Sequence, residues 1–164
     1  MTLVVLLGGA RSGKSRLALE RAAEAGGPVT FIATGEAGDD EMTARIEQHK
    51  RERPRAWRTI EEPLEVASAL ATVPADESVI VDCLSLWVAN ALGVQRELDD
   101  GALAAAVARP GLTIAVTNEV GMGIVPDNAL ARVYRDELGR VNAAWAAAAD
   151  EAYLVVAGRT VTLS

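Results

Sequence analysis

Residues 8–15 read GGARSGKS, directly after the apolar run LVVLL at 3–7 and directly before the helical pattern RLALERAAEA at 16–25. The stretch matches the spacing G-x-x-x-x-G-K-[ST], in the strand-to-helix context that this pattern requires. Glycines let backbone amides approach a phosphate closely, the lysine reaches the outer phosphates, and the hydroxyl can bind magnesium. A glycine-rich turn without a ligand would need neither the lysine nor the hydroxyl. The stretch therefore predicts a phosphate-binding loop, formed by Gly8, Gly9, Ala10, Arg11, Ser12, Gly13, Lys14 and Ser15.

Strand and helix patterns alternate along the rest of the chain. The strand candidates are mostly continuously apolar, as expected of strands covered on both faces; they are residues 2–7, 29–33, 78–82, 112–117, 152–157 and 160–164. Helical patterns lie at about 15–25, 39–53, 63–72, 84–92, 98–108 and 128–149. Only Gly158 and Arg159 separate the last two strands, as in a tight hairpin. We therefore expect an α/β, P-loop NTPase-like (RecA-like) fold: a mainly parallel sheet flanked by helices, with a C-terminal antiparallel hairpin.

The composition limits the classes of protein to which the chain can belong. A length of 164 residues, half of them hydrophobic, fits a single P-loop nucleotide-binding domain over residues 1–164. The net charge of −7 argues against a nucleic-acid partner, because a polyanion would be repelled. Cys83 is the only cysteine, which excludes an intrachain disulfide or a cysteine-cluster metal site. No apolar run approaches the roughly 20 residues of a membrane span. We expect a cytoplasmic protein.

Asp82 ends the apolar strand candidate at 78–82, in the stretch VIVDCL. Ligands of α/β proteins bind at the carboxyl ends of parallel strands, so an acidic residue there can orient magnesium together with Ser15. The alternative is an ordinary aspartate that caps the following helix.

Residues 39–63 form a highly charged segment that carries His49, the only histidine. One interpretation is a solvated helix, ended by Pro54, with Arg45, His49 and Arg53 on its outer face. The other starts from the densest basic cluster of an acidic chain, which would bind a polyphosphate or a phosphorylated acceptor; its members are Lys50, Arg51, Arg53, Arg55 and Arg58. In that setting a neutral imidazole has a chemical use as a nucleophile.

Several motifs together resemble one family, the bifunctional adenosylcobinamide kinase/adenosylcobinamide-phosphate guanylyltransferase of cobalamin biosynthesis. The resemblance spans nearly the whole chain. Its most specific parts are NEVGMGIVP at 118–126 and the combination H-x-x-x-R-P-x-x-W-x-T-x-E at 49–61. The family pattern is longer than this chain between residues 93 and 111, a difference that concerns trimer contacts or access of the corrinoid.

The resemblance implies the following roles. It assigns Ala33, Thr34 and Gly35 to the nucleotide site, makes His49 the residue that becomes guanylylated, and puts Asp82 in the acidic position at the strand end. Further guanine-nucleotide contacts are Lys50, Arg51, Glu52, Arg53 and Glu61. The substrates are adenosylcobinamide with ATP or GTP, Mg²⁺ assists, and the assembly is a homotrimer.

The chemistry agrees with these roles. Attack of a histidine on the α-phosphorus of GTP expels pyrophosphate, and Lys14, arginines and magnesium stabilise the developing charge. Phosphoryl transfer to a hydroxyl needs mainly positioning and charge stabilisation, so one loop can serve both reactions. Asn118 and Glu119, after the strand candidate at 112–117, are weaker site candidates. A GTPase-type switch would carry an N-K-x-D motif, which TNEV at 117–120 does not match; a nonenzymatic nucleotide-binding scaffold would bind nucleotide without turnover.

Overall fold

The computed structural model describes residues 2–38 and 40–163, and of Met42, Arg45 and Glu52 it describes the backbone alone. The strands are β1 (Thr2–Gly8), β2 (Val29–Ala33), β3 (Arg58–Glu61), β4 (Ser78–Asp82), β5 (Leu112–Asn118), β6 (Glu151–Val156) and β7 (Arg159–Thr162). The helices are α1 (Lys14–Ala25), α2 (Asp40–Glu52), α3 (Val66–Ala71), α4 (Leu84–Gly93), α5 (Gly101–Ala108) and α6 (Ala129–Ala148). Within these ranges no helix is long and apolar enough to cross a bilayer.

One seven-stranded sheet holds the fold together, in the order β3-β2-β4-β5-β1-β6-β7. Strands β1 to β6 pair in parallel and β7 pairs antiparallel with β6. Ala157 and Gly158 form the turn of this hairpin with φ of 50° and 73°, the left-handed values that a two-residue hairpin turn requires. The expected mainly parallel sheet with a C-terminal antiparallel hairpin is confirmed.

The two faces of the sheet bury different helices because the apolar strands alternate their side chains between the faces. On one face, Val4, Leu6, Ile114 and Val116 pack with Ala18 and Ala22 of α1. On the other, β1, β4 and β5 pack against helices α3 to α6, with Leu138, Val141 and Trp145 contributed by α6. Burial on both faces explains why the central strands are continuously apolar.

Strand β3 is the element that the sequence patterns did not predict. It lies at the edge of the sheet, and three of its four residues are exposed. Its pairing with β2 aligns Ala33 with Glu61. An exposed edge strand does not require a run of apolar residues, so no strand pattern was visible in the charged sequence around β3. Two predicted helices begin three residues later than expected, at Val66 and Gly101.

Candidate functional site

The carboxyl ends of three central strands bring the predicted residues to one edge of the sheet. β5 lies between β1, which leads into the phosphate loop, and β4, which ends at Asp82. In register, Gly8 is paired with Asn118 and Asp82 with Val116. Paired residues point to the same face, so Asp82 and Asn118 share the face that α1 covers.

The phosphate loop, residues 8–15, has room for glycine alone at its first position. A Cβ on Gly8 would lie 2.5 Å from the carbonyl oxygen of Val155 and 2.7 Å from Oγ of Ser12. Gly13 has φ of 101°, a left-handed value that suits glycine. The β6–β7 turn supports the loop from outside, because the amide of Gly158 donates a 2.8 Å hydrogen bond to the carbonyl of Ser12.

The N-terminus of α1 faces the cleft beside this loop. Gly13 is its N-cap and no side chain caps the helix, which leaves its first amides available to an anion. Lys14 is buried, and its Nζ donates a 2.9 Å hydrogen bond to the carbonyl of Gly9, back across the loop. Ser15, next along the helix, also faces the cleft.

Asp82 projects from the end of β4, and Thr34 holds that strand end in place. The hydroxyl of Thr34 donates to the carbonyl of Cys83 at 2.7 Å and accepts from its amide at 2.8 Å. Asn90 donates to the carbonyl of Thr34 at 2.7 Å. The helix-cap alternative for Asp82 is wrong, since the N-cap of α4 is Cys83 and no side chain caps that helix.

A cleft of about 660 Å³ lies between the phosphate loop, the strand ends and α2. Lys14, Ser15 and Asp82 line one side of it, and His49 lines the other from α2. His49 is half-buried and lines the cleft, so the interpretation that places it on the outer face of a solvated helix is wrong for this residue. Helical spacing places the cleft-facing residues of α2 on one stripe; they are Thr43, Ile46, Glu47, His49 and Lys50, with Arg53 just after the helix.

Ion pairs and stacking fix the end of α2 against the edge strands. Lys50 Nζ lies 2.7 Å from an oxygen of Glu61 on β3, and this ammonium lowers the pKa of the Glu61 carboxyl. The guanidinium of Arg53 stacks on the Phe31 ring, 3.5 Å from its centroid. Burial lowers the pKa of Arg53, and the nearby charges of Asp82 and Glu61 oppose that shift. Of the basic cluster, Lys50 and Arg53 line the cleft.

Cys83 also lines the cleft, directly after Asp82. Burial, assisted by the charge of Asp82, raises its pKa to about 11. Its sulfur lies 2.8 Å from Oγ of Ser85. The thiol therefore stays protonated near neutral pH, which makes it a poor nucleophile.

The cleft brings together much of the predicted set. The predicted residues that line it are Lys14, Ser15, Ala33, Gly35, His49, Lys50, Arg53, Glu61 and Asp82. Thr34 is buried and forms hydrogen bonds with Cys83 and Asn90. Arg51 is exposed outside the lining, and the side chain of Glu52 lies outside the described residues. Asn118 lines the cleft and Glu119 does not.

Other lining residues had little signal in the sequence. They are Glu36, Ala37, Thr43, Ile46, Glu47, Pro63, Cys83 and Leu86. Thr43, Ile46 and Glu47 are related to the predicted Lys50 by helical spacing, which is the signal that could have found them.

Comparison with known proteins gives consistent matches. Residues 4–163 match the family model described as "Cobinamide kinase / cobinamide phosphate guanyltransferase". The chain is 44% identical over 165 residues to the bifunctional adenosylcobalamin biosynthesis protein CobP of Pseudomonas aeruginosa, covering 97% of this chain and 95% of that protein. It is 43% identical over 175 residues to the bifunctional adenosylcobalamin biosynthesis protein CobU of Salmonella typhimurium, covering 95% and 96%.

Among solved structures, the chain matches an ATPase from the type III secretion system of pathogenic bacteria. The TM-score is 0.48 and the identity 13%, over 93% of this chain and 51% of that one.

Proposed function

The chain belongs to the cobinamide kinase / cobinamide phosphate guanyltransferase family, and from this premise we propose that one cleft carries both reactions. The enzyme phosphorylates adenosylcobinamide with ATP or GTP and then transfers GMP from GTP, giving adenosylcobinamide-GDP. The observation that carries the proposal is the common cleft, which Lys14, Ser15 and Asp82 share with His49.

In the kinase step the phosphate loop holds the β- and γ-phosphates of the nucleotide. Lys14 releases the carbonyl of Gly9 and turns to the phosphates, because an anion is a stronger partner than a neutral carbonyl. The open N-terminus of α1 adds amide donors. The acceptor hydroxyl attacks the γ-phosphorus, the bond to the β-phosphate breaks, and the nucleoside diphosphate leaves with the electron pair while the hydroxyl proton goes to solvent.

In the transferase step we assign His49 as the nucleophile. One imidazole nitrogen attacks the α-phosphorus of GTP, a P–N bond forms, and pyrophosphate leaves with the electrons of the broken P–O bond. A phosphate oxygen of adenosylcobinamide phosphate then attacks the same phosphorus and releases the histidine. Lys14, Lys50 and Arg53 stabilise the charge on the phosphates.

We propose the guanine-nucleotide contacts from the positions of the residues in the cleft. Ala33 and Gly35 line the cleft at the end of β2, and Lys50, Arg53 and Glu61 line it opposite. The ion pair between Lys50 and Glu61 joins α2 to β3, so a nucleotide contact to either residue changes both. Thr34 and Arg51 act indirectly, through the strand end and the local charge.

The donor set at the loop fits Mg²⁺. The hydroxyl of Ser15 and the carboxylate of Asp82 are hard oxygen ligands on the same cleft, and Mg²⁺ commonly takes one or two protein ligands together with phosphate oxygens. When bound, the ion supplies charge neutralisation at the phosphates. Ser15 and Asp82 would hold it.

We also propose a homotrimer of single-domain chains, located in the cytoplasm. The single sheet joining residues 2–162 supports one domain over residues 1–164. A set of exposed apolar side chains supports self-association; they are Met122, Ile124, Val125, Leu130 and Val133. Light scattering of the purified protein should give a mass of three times 17.2 kDa, the mass of one chain. The proposed use of nucleoside triphosphates as substrates supports the cytoplasmic location.

The test of the function is an incubation with adenosylcobinamide, ATP, GTP and magnesium, followed by mass analysis of the corrinoid. We expect the phosphate first and the GDP derivative later. A scaffold would bind nucleotide and leave the corrinoid unchanged, which would refute the proposal.

A further inference from the structure

The chain contains four asparagines, and three of them use their carboxamides inside the fold. Asn90 donates to the carbonyls of Thr34 and Pro63. Asn128 accepts from the amide of Ala131 and caps α6. Asn142 is 4% exposed and has both ends of its carboxamide bonded.

Asn118 differs from the other three. Asn118 lines the cleft, and no hydrogen bond joins its carboxamide to another residue of the described chain. A polar group held at a cleft wall without an internal partner is available to a ligand.

The position of Asn118 is set by the sheet. It is paired with Gly8, the first residue of the phosphate loop, and lies on the strand between that loop and Asp82. Alternation puts its side chain on the α1 face, where Lys14 and Ser15 begin the helix. In the proposed kinase step, the outermost phosphate of a nucleotide in the loop would lie near these groups, which line the same cleft.

The backbone of Asn118 is held from the opposite face. Asn142 of α6 donates a 2.9 Å hydrogen bond to its carbonyl and accepts a 2.7 Å hydrogen bond from the hydroxyl of Thr117. The next amide, of Glu119, donates to the carbonyl of Gly8 at 3.1 Å. Hydrogen bonds therefore hold the backbone of this strand end, while the carboxamide has no hydrogen-bond partner among the described residues. Preorganised catalysis requires such an arrangement.

We propose that Asn118 is a catalytic residue of the kinase step: its Nδ2–H donates a hydrogen bond to the phosphoryl group in transit from the nucleotide to the acceptor hydroxyl. The inference rests on the proposed function and adds a residue to it. As the bond from the γ-phosphorus to the β-phosphate breaks and the bond to the acceptor oxygen forms, charge spreads over the phosphoryl oxygens. A neutral carboxamide stabilises that charge, and takes up no proton.

Two substitutions test the role. Asn118→Ala removes the donor, and Asn118→Asp keeps the shape while it replaces the donor with an acceptor. We expect kcat of the kinase step to fall about 100-fold in the first variant and further in the second, with KM for the nucleotide changed less than about threefold. A residue that only filled space would tolerate the isosteric aspartate.

Asn128→Asp is the matched control, since it makes the same chemical change at a helix cap where aspartate serves as well as asparagine. It should keep the wild-type rate. Transfer of label from α-labelled GTP to the protein should fall less than about fivefold in Asn118→Ala, because that step breaks a bond at the α-phosphorus. Equal losses in both steps, or a wild-type kinase rate in Asn118→Asp, would overturn the inference.

A binding measurement separates this inference from the proposed function. Dissociation constants are measured for ADP with magnesium, alone and with aluminium fluoride, which mimics a phosphoryl group in transit. In Asn118→Ala the affinity for ADP should stay within about twofold, while the additional affinity conferred by aluminium fluoride falls about 50-fold or more. If the additional affinity conferred by aluminium fluoride is retained, Asn118 does not contact the phosphoryl group. This measurement tests Asn118 whether or not the wild-type protein modifies the corrinoid. If the wild-type protein did not modify the corrinoid, that result would refute the proposed function alone.

Discussion

Replacement of Lys14 by methionine should depress both reactions while the fold survives. The substitution keeps the buried aliphatic stem and removes the ammonium, which donates a hydrogen bond to the carbonyl of Gly9, an exposed residue that water can solvate. We expect the free energy of unfolding to change by about 1 kcal/mol or less. The loss of activity should therefore come from slower reactions and not from unfolding of the protein.

The size of the kinetic effect follows from the position of Lys14. Unit charges about 4 Å apart interact by about 4 kcal/mol at an effective dielectric constant of about 20, which suits a partly desolvated group. Solvent reorganisation reduces this to about 3 kcal/mol, on the order of a 100-fold loss. Both the formation of adenosylcobinamide phosphate and the transfer of label from α-labelled GTP should fall by that factor.

The assay compares initial rates of the two steps under saturating magnesium, with melting temperatures recorded for each variant. Arg140→Met is the matched control, since it removes one positive charge from an exposed position of α6 outside the cleft. If Lys14→Met kept wild-type rates in both steps, the loop would not hold the reacting phosphates. If its melting temperature collapsed with the rates, the loss would be structural.

Two further predictions concern the end of β4. Asp82→Asn should raise the magnesium concentration needed for half-maximal activity about tenfold or more and leave the melting temperature within about 2 °C, because the change is isosteric and removes a charge; an unchanged magnesium titration would count against a metal role. Cys83 should resist a thiol reagent in the native protein at pH 8 and react once the chain is denatured, because burial raises its pKa to about 11. The same shift implies that this protonated thiol favours the folded state at low pH, and that the contribution is lost as the pH rises from about 8.5, where an unfolded thiol ionises, through about 11. Rapid native labelling at pH 8 would contradict the burial argument.

The parts of the fold that depend on local pattern were predictable from the sequence. The phosphate loop is a contiguous motif, and its glycines are explained by the crowding at Gly8 and the left-handed backbone at Gly13. The central strands were visible because burial on both faces makes them continuously apolar. Asp82 followed from the rule that parallel strands present their carboxyl ends at one edge.

The parts that depend on long-range pairing were not predictable in the same way. β3 is short and exposed, and its register with β2 is set by tertiary contacts that no local pattern encodes. The orientation of α2 was open because charged residues lie on several sides of that helix. Its packing against β3, through Lys50 and Glu61, decides that His49 faces the cleft.

For Asn118, the sequence predicted the location at the ligand-binding edge of the sheet but not the hydrogen bonding of the residue. Its loop was expected there, because it follows a buried strand. The hydrogen bond that holds its backbone comes from Asn142, 24 residues away along the chain, and no local pattern predicts that contact.

The central claim is that GMP passes through His49. GTP labelled at the α-phosphate should leave label on the protein, and GTP labelled at the γ-phosphate should not. The bond should be acid-labile and stable in alkali, because protonation of the imidazole makes it a good leaving group. His49→Ala should abolish labelling and guanylyl transfer together, while part of the phosphorylation of adenosylcobinamide survives, since that step uses Lys14 and Ser15. His49 is the only histidine, so a histidine-linked adduct can form nowhere else in the chain. Guanylyl transfer that persisted in His49→Ala would contradict the account, because GMP would then pass directly from GTP to the acceptor.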